Sequence, residues 1–170
     1  DLSYGEEYER FRAEVREFLQ KNKDRAPRGM GGLGGRPGPD QLAWQKLLIE
    51  NGYAARTIPK KYGGYGAEPD ILKTVIIDEE FAREGASRGI SGQGPSMLVP
   101  TLLEHGTEEQ RRLYLPRIAR GELIFAVSFT EPNAGTDFAA LTTSAEAHGD
   151  HFVLRGHKMF TSLLDRADYI

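Results

Sequence analysis

The hydrophobic period of this chain changes once, near Gly121, and that change constrains the fold more than any other feature. Upstream, apolar residues recur with the 3.6-residue period of helices. Tyr4, Tyr8, Phe11, Val15, Phe18 and Leu19 share one face over residues 3–21. Leu42, Leu47 and Leu48 mark a second helix over 40–51, and Ile71, Leu72, Val75, Ile76 and Phe81 a third over 70–83. Residues 107–121 carry Leu113, Tyr114 and Ile118 in the same manner. Downstream, residues 122–130, 142–147, 151–155 and 158–162 read as strands, with His148-Gly149-Asp150 as a turn between two of them. Helices followed by strands, without alternation, exclude a βαβ sheet. They predict an α+β chain: an all-helical domain over residues 1–121, then the first strands of an antiparallel β-domain over 122–170.

Local signals sharpen the boundaries. Ser3 with Glu6, and Thr107 with Gln110, have the spacing of capping boxes. Asp40 is expected to cap the second helix, and Gly52 to stop it in the left-handed conformation. Pro95 and Pro100 predict a helix over 90–105 with a proline near its start and a kink. Residues 27–39 form a Gly/Pro loop, and 53–69 a long connection punctuated by Pro59, Gly63, Gly64 and Gly66. Residues 167–170 resemble the beginning of another strand. A few strands without a partner sheet leave unpaired edges, so the chain is expected to be the N-terminal piece of a longer protein, or one whose remainder is cleaved or disordered.

Composition removes several classes of function. A formal net charge of -3 gives no reason to expect a nucleic-acid or anionic-membrane partner. With no cysteine there is no disulfide, thiol nucleophile or thiolate metal site. No apolar run approaches the roughly 20 residues of a membrane span, and no signal peptide opens the chain. His105, His148, His151 and His157 lack metal-ligand spacing, so no metal is expected. Gly29-Met30-Gly31-Gly32-Leu33-Gly34 matches a dinucleotide-binding string, but the Pro-rich flanks deny it a strand before and a helix after, which leaves a flexible loop. Thr161 and Ser162 have no local base to make either a nucleophile. Glu79 and Glu80 lie on a helix and read as solvated or structural.

The chemistry concentrates between residues 125 and 162. An apolar run ends in Thr130-Glu131-Pro132-Asn133-Ala134-Gly135-Thr136-Asp137, where Pro132 removes a backbone donor and Gly135 permits a turn. Some twenty residues on, Gly156-His157-Lys158-Met159-Phe160-Thr161-Ser162 offers an aromatic ring and two hydroxyls on a predicted short strand. Together these segments suit a flat, polar ring system. The plainer alternative is a capped turn with Asp137 accepting from nearby N–H groups.

The ordered strings resemble the acyl-CoA dehydrogenase family. Gly106-Thr107-Glu108-Glu109-Gln110-Arg111-Arg112-Leu113-Tyr114-Leu115-Pro116 is similar to a helix of that family. It is followed by Gly121-Glu122, the Thr130–Asp137 motif, Gly149-Asp150 and Gly156-His157-Lys158-Met159-Phe160 at family spacing. The resemblance covers essentially the whole chain. It implies an N-terminal helical domain, a middle β-barrel-like domain of which only the start is present, and a C-terminal four-helix domain that is missing.

By that resemblance the chain is the N-terminal part of an FAD-dependent enzyme of fatty-acid and lipid metabolism that desaturates an acyl-CoA thioester at its α,β bond. Residues 127–136 are expected to line the flavin. Thr130 would bond the pyrimidine end of the ring, with Val127 and the backbone of Phe129 beside it. Thr136 would stand near both FAD and the CoA moiety, the one expected substrate contact. Phe160 would wall the flavin in place of the more usual tryptophan. Ser162, next to Thr161, would bond flavin N5, where the family has threonine. Leu163, where the family often has asparagine, is a departure. The segment 90–100 is expected to approach the acyl pocket. The catalytic base normally comes from the C-terminal domain, so no catalytic residue is assigned here and the chain alone is expected to be inactive. The implied partners are acyl-CoA, electron-transfer flavoprotein or a similar acceptor, and further subunits in a homo- or hetero-oligomer. The implied location is a bacterial cytoplasm or a mitochondrial matrix. A flavin monooxygenase or acyl-CoA oxidase of the same fold, or a non-catalytic subunit, are the alternatives, since fold does not fix chemistry.

Overall fold

Helix α1 (Glu6–Lys21) opens the computed structural model, which describes residues 4–27 and 36–170. Its N-cap is Gly5, which offers no side-chain cap; Ser3 and the Gly29–Gly34 string lie outside the described residues. The other α-helices among the described residues are α2 (Pro39–Glu50), α3 (Ile71–Glu84), α4 (Val99–His105) and α5 (Glu108–Ala119). The chain divides into two units, Asp1–Ile124 and Phe125–Ile170.

In the first unit the apolar stripes meet as their spacing predicts. Val15, Phe18 and Leu19 of α1, Trp44 and Leu48 of α2, Tyr53, and Ile76, Ile77 and Phe81 of α3 form one buried cluster. Phe18 lies against both Trp44 and Tyr53, with ring centroids 5.9 and 4.6 Å apart. The polar groups within this core are satisfied. The Trp44 indole N–H donates to the Ser87 carbonyl at 2.8 Å. The buried Gln45 amide donates to the Ala119 carbonyl at 2.7 Å and accepts from the Ile90 N–H at 2.8 Å, tying α2 to the end of α5 and to the segment after α3.

Caps follow chemistry more than position. The Thr107–Gln110 box forms reciprocally, at 2.9 and 3.2 Å. Asp70 caps α3, its side chain accepting from the Lys73 N–H at 3.0 Å. Asp40 does not cap α2. Gly38 takes that place, its N–H donating to Gln41 Oε1 at 2.8 Å, because Pro39 suits the first helical position where no N–H is needed. Gly52, at φ +76°, stops α2 as expected. Between α3 and α5 the predicted kink is a π-helical turn, Gly94–Leu98, running into α4 with Pro100 in its first turn.

In the second unit, β1 (Ser144–His148) and β2 (His151–Arg155) pair antiparallel, Ser144 opposite Arg155 and His148 opposite His151. The turn holds Gly149 at φ +64°. Residues 122–130 and 158–162 are not strands, against expectation. A strand requires a ladder, and these segments make isolated bonds. Ala126 N–H donates to the Tyr169 carbonyl at 3.0 Å, and Phe125 forms a single parallel bridge to Tyr169 with their rings stacked at 5.1 Å. Phe160 at φ +54° breaks the alternation that a strand over 158–162 would need.

Candidate functional site

The site segments belong to the second unit, and a carboxylate organises them. Pro132 and Asn133 make a tight turn closed by reciprocal bonds, Glu131 N–H to the Ala134 carbonyl at 2.9 Å and Ala134 N–H to the Glu131 carbonyl at 3.1 Å. The Glu131 side chain folds inward and is 4% exposed. It accepts from the Thr142 N–H and Oγ1 at 2.8 Å each, from the Thr143 N–H at 3.0 Å and Oγ1 at 2.5 Å, and from Lys158 Nζ at 2.8 Å. Lys158, then Thr143 and Thr142, hold this carboxyl well below the usual carboxylate range. Every donor favours the charged form.

Lys158 also reaches back, its ammonium donating to the Phe129 carbonyl at 3.1 Å. The Met159 N–H donates to the Thr130 carbonyl at 2.8 Å. Ser128 Oγ and Thr161 Oγ1 share a hydrogen bond of 2.6 Å. Residues 128–131 and 158–161 therefore lie side by side, brought together by bonds that neither segment's own sequence announces.

Of the side chains named from sequence, Val127, Phe129, Thr130, Phe160, Thr161 and Ser162 belong to or adjoin these two segments, and no hydrogen bond among the described residues joins Thr136 to them. Val127 and Thr130 are half-buried, and Thr161 is half-buried on its bond to Ser128. Phe129 is partly exposed, its ring edge-to-face with Phe138 at 5.2 Å. Thr136 and Ser162 are exposed. Phe160 is 84% exposed, an unusual state for a phenyl ring. Phe160 and Leu163 hold φ at +54° and +66°, a conformation costing non-glycine residues roughly 1–2 kcal/mol each. Among the described residues, no hydrogen bond engages the hydroxyls of Thr130, Thr136 or Ser162. Free hydroxyl donors and an exposed aromatic ring have the chemistry that a planar heterocycle with carbonyl and ring-nitrogen acceptors requires, so the donor set fits a flavin.

Sequence reasoning missed the clamp. In the plainer alternative Asp137 is the capping acid; it precedes the 3-10 turn Phe138–Ala140 without a side-chain bond, and Glu131 takes the neighbouring N–H groups instead. The partners stand 11, 12 and 27 residues away from Glu131, spacings that no helix or strand period marks. Gly156 is a further unread constraint, since a Cβ there would lie 2.0 Å from Thr143 Oγ1 and 2.7 Å from its Cβ.

The acids in the helical unit are structural. Glu80 is 1% exposed, its carboxylate bonded by Arg12 Nη1 at 2.8 Å and by Arg16 Nε and Nη2 at 2.7 and 3.0 Å. Burial pushes this carboxyl up, but the hydrogen bonds from Arg16 and Arg12 outweigh it and leave it below its ordinary value. Glu79 pairs with Arg12 at 2.8 Å. Also in this unit, a cavity of about 290 Å³ is bounded by Gln45, Arg56, Ile77, Ile90, Pro95 and Val99. No group of His, Cys, Asp and Glu among the described residues is arranged to hold a metal ion, and no helix there is long and apolar enough to cross a membrane.

Known proteins are similar to this chain in sequence and fold. Acyl-CoA dehydrogenase FadE26 of Mycobacterium tuberculosis is 34% identical over 172 residues, covering 99% of this chain and 42% of the relative. The solved structure of the Tcur3481-Tcur3483 steroid ACAD is 36% identical with a TM-score of 0.67, over 99% of this chain and 43% of that one. The ChsE4-ChsE5 complex from Mycobacterium tuberculosis is 32% identical with a TM-score of 0.66, over 99% and 42%. The chain thus spans less than half the length of the relatives it matches. The family model for the acyl-CoA dehydrogenase N-terminal domain matches residues 5–122, and the chain belongs to the acyl-CoA dehydrogenase family.

Proposed function

We propose that this chain forms the N-terminal helical domain (residues 1–121) and the beginning of the flavin-facing β-domain (residues 122–170) of an FAD-dependent acyl-CoA dehydrogenase. The reaction is α,β-desaturation of an acyl-CoA thioester. The acyl-CoA dehydrogenases are flavoproteins. The observation that carries the reading for this chain is the 2.8 Å bond from Met159 N–H to the Thr130 carbonyl. It lays the extended segment that carries the free Thr130 hydroxyl against a segment with an exposed phenyl ring.

Bound FAD supplies a two-electron acceptor for the hydrogen that leaves the β-carbon. The residues of this chain bind and orient. Thr130 and the backbone of Phe129 hold the pyrimidine end, with Val127 alongside. Phe160 would wall the flavin and the Ser162 hydroxyl would bond N5, with Thr161 next to it held by Ser128. Thr136 would stand near both FAD and the CoA moiety. Donors aimed at the electron-rich end of the ring stabilise the charge that arrives on reduction. The segment 90–100, which borders the cavity of the helical unit, approaches the acyl group. Neither Glu131 nor Glu80 serves as the base. Each is buried, fully bonded and held in its charged form, and a general base needs a pKa near the working pH. The base comes from outside this chain, so the 170 residues alone are inactive and hold FAD weakly. Electron-transfer flavoprotein or a similar acceptor takes the electrons, and the enzyme assembles as a homo- or hetero-oligomer.

The test is made on the full-length protein. Its visible spectrum is recorded, and a panel of acyl-CoA thioesters from short-chain to steroid-derived is scored for flavin bleaching with an artificial acceptor. Thr130→Val weakens FAD retention by about 1–3 kcal/mol, the cost of an acceptor losing its donor. A colourless protein that FAD does not reconstitute, or unchanged affinity in Thr130→Val, refutes the reading.

A further inference from the structure

We propose that Glu131 is a positioning residue for the flavin-facing wall: its buried carboxylate, clamped by Thr142, Thr143 and Lys158, sets the separation between the segment 128–131 and the aromatic segment 158–161. This rests on the functional reading above. The carboxylate joins three stretches distant in sequence. It belongs to the turn after Thr130, it accepts from the two residues leading into β1, and it anchors Lys158, two residues before Phe160. Lys158 spans the gap, with one bond to Glu131 Oε1 at 2.8 Å and one to the Phe129 carbonyl at 3.1 Å. Phe129 and Phe160 are thereby tied to the same acid, one on each side of the seam.

Two further features agree with a positioning role. Phe160 is both strained and exposed, so local packing does not hold it; the bonds of Lys158 and Met159 just before it do. Gly156 lets the chain pass close against Thr143, and any side chain there would push Thr143 off the carboxylate. The clamp also neutralises Lys158. Removing the negative charge while keeping the shape, as in Glu131→Gln, leaves an unbalanced ammonium beside the Phe129 carbonyl. A net positive charge near the ring favours the reduced flavin.

The experiment compares wild type, Glu131→Gln, Thr143→Val and Glu131→Gln/Lys158→Met in the full-length protein. Amide exchange in the flavin-free protein reads the clamp directly. The Thr142 and Thr143 amides of Glu131→Gln exchange at least about tenfold faster than wild type, the factor that one lost charge-assisted bond supplies. In the loaded protein Glu131→Gln raises the flavin midpoint potential, changes the visible circular dichroism of the flavin and lowers kcat more than it alters KM. The double variant, with its charge rebalanced, returns the potential toward wild type. Thr143→Val, the milder change, shifts exchange and dichroism in the same direction and serves if Glu131→Gln folds poorly. Unchanged exchange at Thr142 and Thr143 overturns the clamp whatever the cofactor does. Faster exchange with an unaltered flavin spectrum and potential overturns the positioning role and leaves the functional reading standing. A wild type that takes up no FAD overturns both, while the exchange result still shows whether the clamp exists.

Discussion

The helical unit and the unit after Ile124 are held by different forces. The first is an apolar core: nine buried side chains from Val15 to Phe81 form one cluster. The second buries few apolar side chains, and the acid at its centre is Glu131. Phe152 and Leu154 on β2 are 70% and 75% exposed within these 170 residues, so they add nothing to a core of this unit. Apolar burial is non-directional and tolerant of the exact path of the chain. A buried carboxylate accepting from several donors is directional, and it loses much when one donor leaves. The helical unit is therefore set by pattern, and the second unit by particular atoms.

The largest expected effect tests the first half of that contrast. Phe81→Ala opens a cavity in the aromatic cluster and costs about 3–5 kcal/mol. The single tryptophan, Trp44, lies in the same core and reports it, so urea unfolding followed by its fluorescence gives the midpoint. A change below about 1 kcal/mol would mean the core collapses onto the gap. Glu80→Gln comes next. It leaves the guanidinium groups of Arg12 and Arg16 short of a counter-charge at a buried acceptor, for a loss of about 3 kcal/mol. The same fluorescence transition reads it, and an unshifted midpoint would show that solvent replaces the carboxylate there.

Gly156→Ala probes the second unit. The added methyl meets the branched side chain of Thr143, at a cost of about 1–3 kcal/mol. Faster amide exchange at Thr142 and Thr143 with an unmoved Trp44 transition supports two separately held regions. A shifted Trp44 transition would break the comparison.

The smallest effect comes from a tether in the helical unit between the buried Tyr62 and the exposed Glu108. The Tyr62 hydroxyl donates to Glu108 Oε2 at 2.5 Å. This bond, with that of Arg112, lowers the Glu108 carboxyl to about 2. A carboxyl depressed in the folded state stabilises above its ordinary value, 4.5, and loses that contribution as pH falls toward 2. Tyr62→Phe raises the Glu108 pKa, read by NMR titration, and flattens the acid side of the stability profile. An identical titration in the variant would show that Arg112 and Lys61 set the value.

Legibility followed the same division. The helices α1, α3 and α5 and the hairpin turn were readable because each rests on contacts three or four residues apart, or across a single turn. Gly149 and the Thr107–Gln110 cap needed no distant partner. Misplaced features depended on something remote or on a neighbour's chemistry. Asp40 lost the cap of α2 to Gly38 because of Pro39. Residues 122–130 and 158–162 had the composition of strands but not a ladder of partners.

The sequence by itself determined the family, the helical order and the two polar segments bordering the candidate flavin face, because those are written in residue types at short, fixed spacing. Only the tertiary structure decided how the two segments meet. That meeting depends on Glu131 finding Thr142, Thr143 and Lys158, and hydrogen bonds between residues far apart in the chain leave no periodic trace in the order of its amino acids.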